Sequence, residues 1–272
     1  MARIRPASGG FQQSKIVSFP RQRDTIRNVA FSPDGSLLAS ASSSGQAKVW
    51  RAPHWREVAE FGDDGAAAEE VCFSPDGKYL AATFFFRAVV WDLATGQRVA
   101  TLAHGRTVVW SAAFSHDGKT LVTATIHGDL RWWDLESGAE RFPPKRHKRS
   151  VYSVSVSPDG KHLAAGGLPG DAGLAIWDMA TGKKVRALEG HEGGVVCVRF
   201  SPDGAMLATA AGGDYTVCLW DVASRRQLGV LKVSSFPWQV SFLDGGKGIA
   251  ITTGASVSLH DVSSIIQQKG ND

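Results

Sequence analysis

A five-residue turn signature sets the frame into which this chain must fold. It reads Phe31-Ser-Pro-Asp-Gly and returns as Phe73-Ser-Pro-Asp-Gly, Phe114-Ser-His-Asp-Gly, Val156-Ser-Pro-Asp-Gly and Phe200-Ser-Pro-Asp-Gly. A degraded copy, Phe242-Leu-Asp-Gly-Gly, closes the series, and successive copies lie 41 to 44 residues apart. A second marker keeps step: Trp50-Arg51, Trp91-Asp92, Trp133-Asp134, Trp177-Asp178, Trp220-Asp221 and His260-Asp261. The stretch from Gly190 to Asp221 displays the unit most fully. Its apolar runs Val195 to Phe200, Met206 to Ala210 and Thr216 to Trp220 have strand period and are separated by turn residues. A three-stranded meander of this kind has two bare edges and cannot cover itself, so it must stack on its own copies.

The Gly190-His191 opening and Trp220-Asp221 ending, repeated at this period, resemble the WD-repeat β-propeller family. The resemblance implies an all-β fold of six four-stranded antiparallel blades. Candidate outer strands follow five of the six endings: Glu57–Phe61, Arg98–Leu102, Ala139–Phe142, Lys184–Leu188 and Gln227–Leu231. Nothing comparable follows His260. Ser14–Phe19 stands at the matching distance before Phe31, so it is expected to pair with Val257–Val262 and close the fold. The expected domain runs over residues 14–262, with tails at 1–13 and 263–272.

Composition narrows the class. With 43% apolar and 21% charged residues the chain can bury a sizeable core. A net charge of +4 is too weak by itself to imply nucleic acid. Cys72, Cys197 and Cys218 lie inside apolar runs without metal-type spacing, as expected of buried free thiols in a reducing compartment. No segment reaches the ~18 apolar residues of a membrane span, and Arg3 and Arg5 precede no apolar stretch of the secretory kind. The expectation is a cytoplasmic monomer without membrane contact.

Several residue sets could pass for chemistry. In each Ser-Pro-Asp-Gly, Pro fixes φ, Asp bonds nearby backbone and Gly accepts positive φ, so the repeated Asp reads as a turn residue. The family resemblance implies a hydrogen-bonded chain of His191, Thr209, Asp214 and Trp220. These groups also have the membership of a hydrolase triad, but the hydroxyl faces an indole and the set reads as structural. Blade four offers His147, Asp171 and Trp177 but Ala165 in place of the hydroxyl. Blade three has His127, and blade one Ser44, where the Asp belongs, while blade six has His260 for the Trp. Blade five is therefore expected to be the stiffest and blade six the softest. No catalytic motif, phosphate-cradling loop or metal-ligand spacing occurs, so no enzyme activity, metal or cofactor is expected.

The resemblance also implies a docking face, made by the loops from outer strand to next inner strand and from second to third strand. Four residues before each turn signature stand Arg27, Glu69, Trp110, Tyr152, Val196 and Trp238; six before stand Thr25, Ala67, Val108, Ser150, Gly194 and Phe236. Aromatics and Arg are anchor types at interfaces, so Arg27, Trp110, Tyr152, Trp238 and Phe236 are candidate partner-binding residues. The run Pro144-Lys-Arg-His-Lys-Arg149 adds Lys145, Arg146, Lys148 and Arg149 in what reads as a basic loop. In Phe84-Phe85-Phe86-Arg87, strand alternation can bury only about half of the rings on one face, which makes Phe85 a contact candidate. A non-enzymatic scaffold or sensor module for a protein or peptide is the leading reading. A nucleic-acid module using residues 145–149 is the alternative, opposed by Glu69 and Asp63-Asp64. A propeller hydrolase comes third, since Glu69 is the one ionisable acid among those inner positions.

Overall fold

The computed structural model describes residues 3–5, 24–62, 65–147, 149–169, 173–254 and 256–263. After a short strand β1 (Arg3–Arg5), blade one comprises β2 (Ile26–Phe31), β3 (Leu37–Ser42), β4 (Gln46–Arg51) and β5 (Arg56–Gly62). Blade two comprises β6 (Glu70–Phe73), β7 (Tyr79–Thr83), β8 (Arg87–Asp92) and β9 (Arg98–Ala103). Blade three comprises β10 (Val109–Phe114), β11 (Thr120–Thr125), β12 (Asp129–Asp134) and β13 (Lys145–Arg146). Blade four comprises β14 (Val151–Val156), β15 (His162–Gly167), β16 (Leu174–Asp178) and β17 (Lys184–Ala187). Blade five comprises β18 (Val195–Phe200), β19 (Met206–Ala211), β20 (Thr216–Asp221) and β21 (Gln227–Lys232). Blade six comprises β22 (Pro237–Leu243), β23 (Gly248–Thr253), β24 (Ser256–Asp261) and β1. The fold is thus all-β, a six-bladed propeller of four-stranded sheets. The blades fall into two compact units, one holding the first three and the other the last three with β1.

The turn signature works as its chemistry demands. In the first copy the Ser32 hydroxyl donates to Asp34, the Leu37 N–H donates to Ser32 Oγ at 2.9 Å, and Gly35 takes φ 70°. The same pattern recurs at Ser74, Ser115, Ser157 and Ser201, and such bonds hold the Asp34, Asp76, Asp117 and Asp159 carboxyls below their usual range. The Asp that ends a third strand caps the next turn: Asp92 accepts from the Thr95 N–H at 2.8 Å, and Asp178 from the Thr181 N–H at 2.8 Å. Two turn types on one end of every regular blade therefore fix strand register before any packing is formed.

Packing within each unit is blade on blade. Val49 and Phe61 of blade one meet Val71, Leu80 and Trp91 of blade two, and Phe61 stacks on Trp91 with ring centroids 5.2 Å apart. Leu207 and Trp220 of blade five pack on Ala164, Ile176 and Leu188 of blade four. Burying a side chain of this size stabilises by roughly 1.5–3 kcal/mol. The innermost strand of each sheet has a free side, and a second device satisfies it. Asn28 Oδ1 accepts the N–H of Val71, Glu70 Oε2 that of Ala112, and Ser153 Oγ that of Val198, each reaching from one blade to the next. These three acceptors occupy equivalent repeat positions, and at the equivalent Cys197 the thiol lies 3.8 Å from the Val240 carbonyl. Cys197 and Cys218 are buried free thiols as expected, whereas Cys72 is half-buried.

Two expectations need correction. The segment beside β24 is Arg3–Arg5, running parallel, with Arg3, Ile4 and Arg5 opposite Ser256, Val257 and Ser258. Ser14–Phe19, the segment expected to pair with Val257–Val262, lies outside the described residues, as does most of the expected tail over 1–13. The second correction concerns blade three. Ala139–Phe142 does not form a regular outer strand; Glu140 makes one bridge to Trp133 and the Arg141 N–H donates to the Trp132 carbonyl at 2.8 Å. Pro143 and Pro144 then interrupt the ladder, and pairing resumes at Lys145 and Arg146 against Leu130 and Asp129. What reads as a basic loop is in part the end of an outer strand.

Candidate functional site

The residues four before the turn signature share a backbone peculiarity. The ladder between first and second strands slips by one residue at Arg27, at Trp110, at Val196 and at Trp238. Each is the extra residue of a bulge, a device that re-aims a side chain where pairing begins. In blade two the equivalent Glu69 immediately precedes β6, and its N–H donates to the Thr83 carbonyl at 2.9 Å.

Blades one and two bring the first pair together. Arg27 Nη1 lies 2.9 Å from Glu69 Oε2, with the Glu69 side chain 3% exposed and Arg27 39% exposed. Burial pushes the Glu69 carboxyl up, and the Arg27 guanidinium opposes that shift. Glu69, the one acid among those inner positions, is thus ion-paired with Arg27. Trp110 is half-buried in the same unit.

Blades four to six carry the other aromatics. Phe236 and Trp238 lie against each other with ring centroids 4.4 Å apart. Phe236 covers Gly212, where a Cβ would stand 2.1 Å from its ring, so that glycine is required by close approach. Trp238 is 58% exposed, and Tyr215, in the turn between β19 and β20, is exposed as well. Tyr152 is half-buried. Trp110 belongs to one compact unit, Tyr152 and Trp238 to the other.

Of the phenylalanine run, Phe84 is fully buried with its ring edge-on to Trp91, centroids 6.3 Å apart. Phe85 and Phe86 form the exposed tip, 39% and 52% exposed. Of the basic residues, Lys145 Nζ sits 5.7 Å from the centre of the Phe142 ring and Arg146 Nε lies 3.0 Å from Asp129 Oδ1. Arg149 is exposed, and Lys148 lies outside the described residues.

The chain on blade five forms throughout. Trp220 Nε1–H donates to Thr209 Oγ1 at 2.8 Å, and the Thr209 hydroxyl bonds His191 Nε2 at 2.7 Å. His191 Nδ1 faces Asp214 Oδ2 at 3.2 Å, and Asp214 also accepts the backbone N–H groups of Glu192 and Gly193. Burial holds the His191 pKa below its ordinary value even with Asp214 beside it. The Thr209 hydroxyl is buried and engaged by Trp220, His191 and the Cys218 carbonyl, so it is not presented to solvent as a nucleophile.

Sequence reading missed a second chain, in blade three. His104 Nε2 bonds Thr123 Oγ1 at 2.7 Å and Trp133 Nε1–H donates to the same oxygen at 2.9 Å. In place of an Asp, the Leu102 carbonyl faces His104 Nδ1 at 2.9 Å. Burial pulls the His104 pKa down to about 4. The available signals were Thr123 and Trp133, which stand in register; His104 follows Ala103 instead of Gly and sits one residue out of step.

Residues 13–51, 96–134, 142–178 and 182–221 match the WD domain, G-beta repeat family, more than half of the chain. The chain belongs to the WD40 family. Similar curated proteins include WD repeat, SAM and U-box domain-containing protein 1 of Danio rerio, 34% identical over 46% of this chain and 26% of that protein. WD repeat-containing protein SL1-17 of Schistosoma mansoni is 32% identical over 47% of this chain and 42% of its own length. Small ribosomal subunit protein RACK1y of Oryza sativa subsp. japonica is 29% identical over 40% and 34%. The matched part is thus less than half of each of these relatives. WD40 propellers are generally non-enzymatic scaffolds that bind protein partners. Among the described residues no helix is long and apolar enough to cross a membrane, and no group of three His, Cys, Asp or Glu is placed to hold a metal ion.

Proposed function

We propose that this WD40 chain is a non-enzymatic scaffold or sensor module that binds a protein or peptide through the loop ends of its sheets, where the first strands begin. The observation that supports this reading is the bulge repeated at Arg27, Trp110, Val196 and Trp238, three of which are residue types enriched at interfaces. The exposed pair of Trp238 with Phe236 is the strongest anchor, because a large ring held by a neighbour loses little entropy on binding. Tyr152 belongs to the same set by repeat position. The proposed domain spans residues 14–262 together with β1, and acts as a cytoplasmic monomer.

Affinity capture with wild type, Trp110→Ala/Trp238→Ala and a charge reversal at Lys145, Arg146, Lys148 and Arg149 tests the reading, with circular dichroism to confirm folding. Preys lost in the aromatic variant are expected; a prey set unchanged in both folded variants would show that partners dock elsewhere. The nucleic-acid alternative draws less support, since Lys145 is occupied by Phe142 and Arg146 by Asp129.

A further inference from the structure

Within the unit of blades one to three, four loop segments are laced together. The turn Phe84–Arg87 closes on itself, Phe84 N–H donating to the Arg87 carbonyl at 2.8 Å. The loop after β9 is pinned to that turn at both ends, by His104 N–H to the Phe86 carbonyl at 2.8 Å and Val109 N–H to the Phe84 carbonyl at 3.3 Å. Arg106, exposed, lies in this loop between the two bonds to the Phe84–Arg87 turn. The same loop continues to the next turn through Ile126 N–H to the Val108 carbonyl at 3.0 Å. That turn is held in its turn by His147 and Ser150: His147 N–H donates to the Gly128 carbonyl at 2.8 Å and Ser150 Oγ to the Ile126 carbonyl at 2.5 Å. Gly128 is indispensable there, because a Cβ would lie 2.3 Å from the His147 carbonyl oxygen.

The result is one rim that begins in two exposed phenylalanines and runs on through Arg106, His127 and Arg149, all exposed. Asp129 is the one carboxylate on these described loop segments and it is spent on Arg146. The rim therefore offers apolar rings followed by cations without a matching acid. Two adjacent exposed rings are costly to leave in water, and Arg side chains on flexible stems are suited to carboxylates, so the complementary surface is apolar at one end and acidic at the other.

The geometry points to a docking site for an extended acidic peptide segment of a partner protein, its large apolar side chains covering Phe85 and Phe86 and its carboxylates meeting Arg106 and Arg149. This rests on the scaffold reading and names the chemistry of one partner. A short rim with two unpaired guanidinium groups and a paired Arg146 fits a peptide better than a nucleic-acid backbone, which would need a longer cationic track.

The experiment is selection of a random peptide display library on the full chain, followed by fluorescence titration of enriched peptides. The titrations use wild type, Phe85→Ser/Phe86→Ser, Arg106→Glu/Arg149→Glu and Trp238→Ala, each checked for folding by circular dichroism. Enriched peptides are expected to combine Asp or Glu with Phe, Trp or Leu. Affinity is expected to weaken about tenfold or more in both rim variants. It should fall with added salt and hold in Trp238→Ala. Peptides without an acidic bias, or binding indifferent to the rim variants, would overturn the assignment. Peptides lost in Trp238→Ala alone would leave the scaffold reading standing and remove this occupant, whereas an empty selection would count against both. A single-stranded DNA oligonucleotide that binds tightly and is lost in Arg106→Glu/Arg149→Glu would replace the peptide by nucleic acid.

Discussion

Single residues decide how firmly the Trp-ended strands are held. Thr209 relays between Trp220 and His191, and replacing it by Val would strand an indole N–H and an imidazole nitrogen in a dry site. Thr209→Val is expected to cost about 2–3 kcal/mol, read as a lowered urea midpoint. In blade one the corresponding Trp50 Nε1–H to Ser40 Oγ contact is long, at 3.4 Å against 2.8 Å in blade five, so Ser40→Ala should cost less in the same assay. His104 makes a pH-dependent contribution. Its pKa falls from 6.5 to about 4 on folding, so the unfolded chain binds the extra proton as the medium acidifies. The stabilisation is complete above pH 6.5 and is lost as the pH falls toward 4, by about 3 kcal/mol at the lower limit. In urea titrations the stability advantage of wild type over His104→Gln should accordingly shrink by that amount between pH 7 and pH 4. A constant gap would show that His104 is not held neutral.

Elements record where sequence rules suffice and where they do not. The runs read as Val195 to Phe200, Met206 to Ala210 and Thr216 to Trp220 are strands β18, β19 and β20 within one residue at each end, because turn chemistry and period agree there. Blade five has the complete side-chain relay, whereas in blade six His260 bonds Ser258 Oγ, at 2.9 Å, and β13 is two residues long. Amide exchange is expected to be slowest in β19 and β20 and fastest in β24 and β13. Slower exchange in blade six than in blade five would reverse the ranking. The bulges at Trp110 and Trp238 were not legible, since a one-residue slip leaves the repeat spacing untouched. Neither was the break in blade three: Ala139–Phe142 has strand-like content, and only the ladder shows what Pro143 and Pro144 remove from it. The bonds from Asn28, Glu70 and Ser153 join positions about one whole repeat apart, beyond the reach of any local pattern. The candidate anchors were found by counting back from the turns, and their exposure, paired at Trp238 and opposed at Glu69, came only from packing.

For the chain as a whole, the sixth sheet leaves the outer edge of β24 to be covered. β1 covers three residues of β24 in parallel, the less stable arrangement per residue. Removing residues 1–8 should raise amide exchange along Ser256–Ser258 and leave β23 unchanged. The thermal midpoint should drop by only a few degrees, since each kcal/mol shifts a domain of this size by about 2–4 °C. Loss of protection on removing Ser14–Phe19, with no response to removing 1–8, would instead favour the antiparallel segment expected from repeat spacing.

The acceptors that pass from blade to blade give the repeats an address. Asn28 supplies an amide, Glu70 a carboxylate on a longer stem and Ser153 a short hydroxyl, each fitted to one neighbour. Copies that look interchangeable in their turns are therefore not interchangeable in position. A permuted gene that exchanged the second and fourth repeats would keep the turn signatures and still set a carboxylate where a hydroxyl now accepts the neighbour's N–H, so each seam is matched to its own successor.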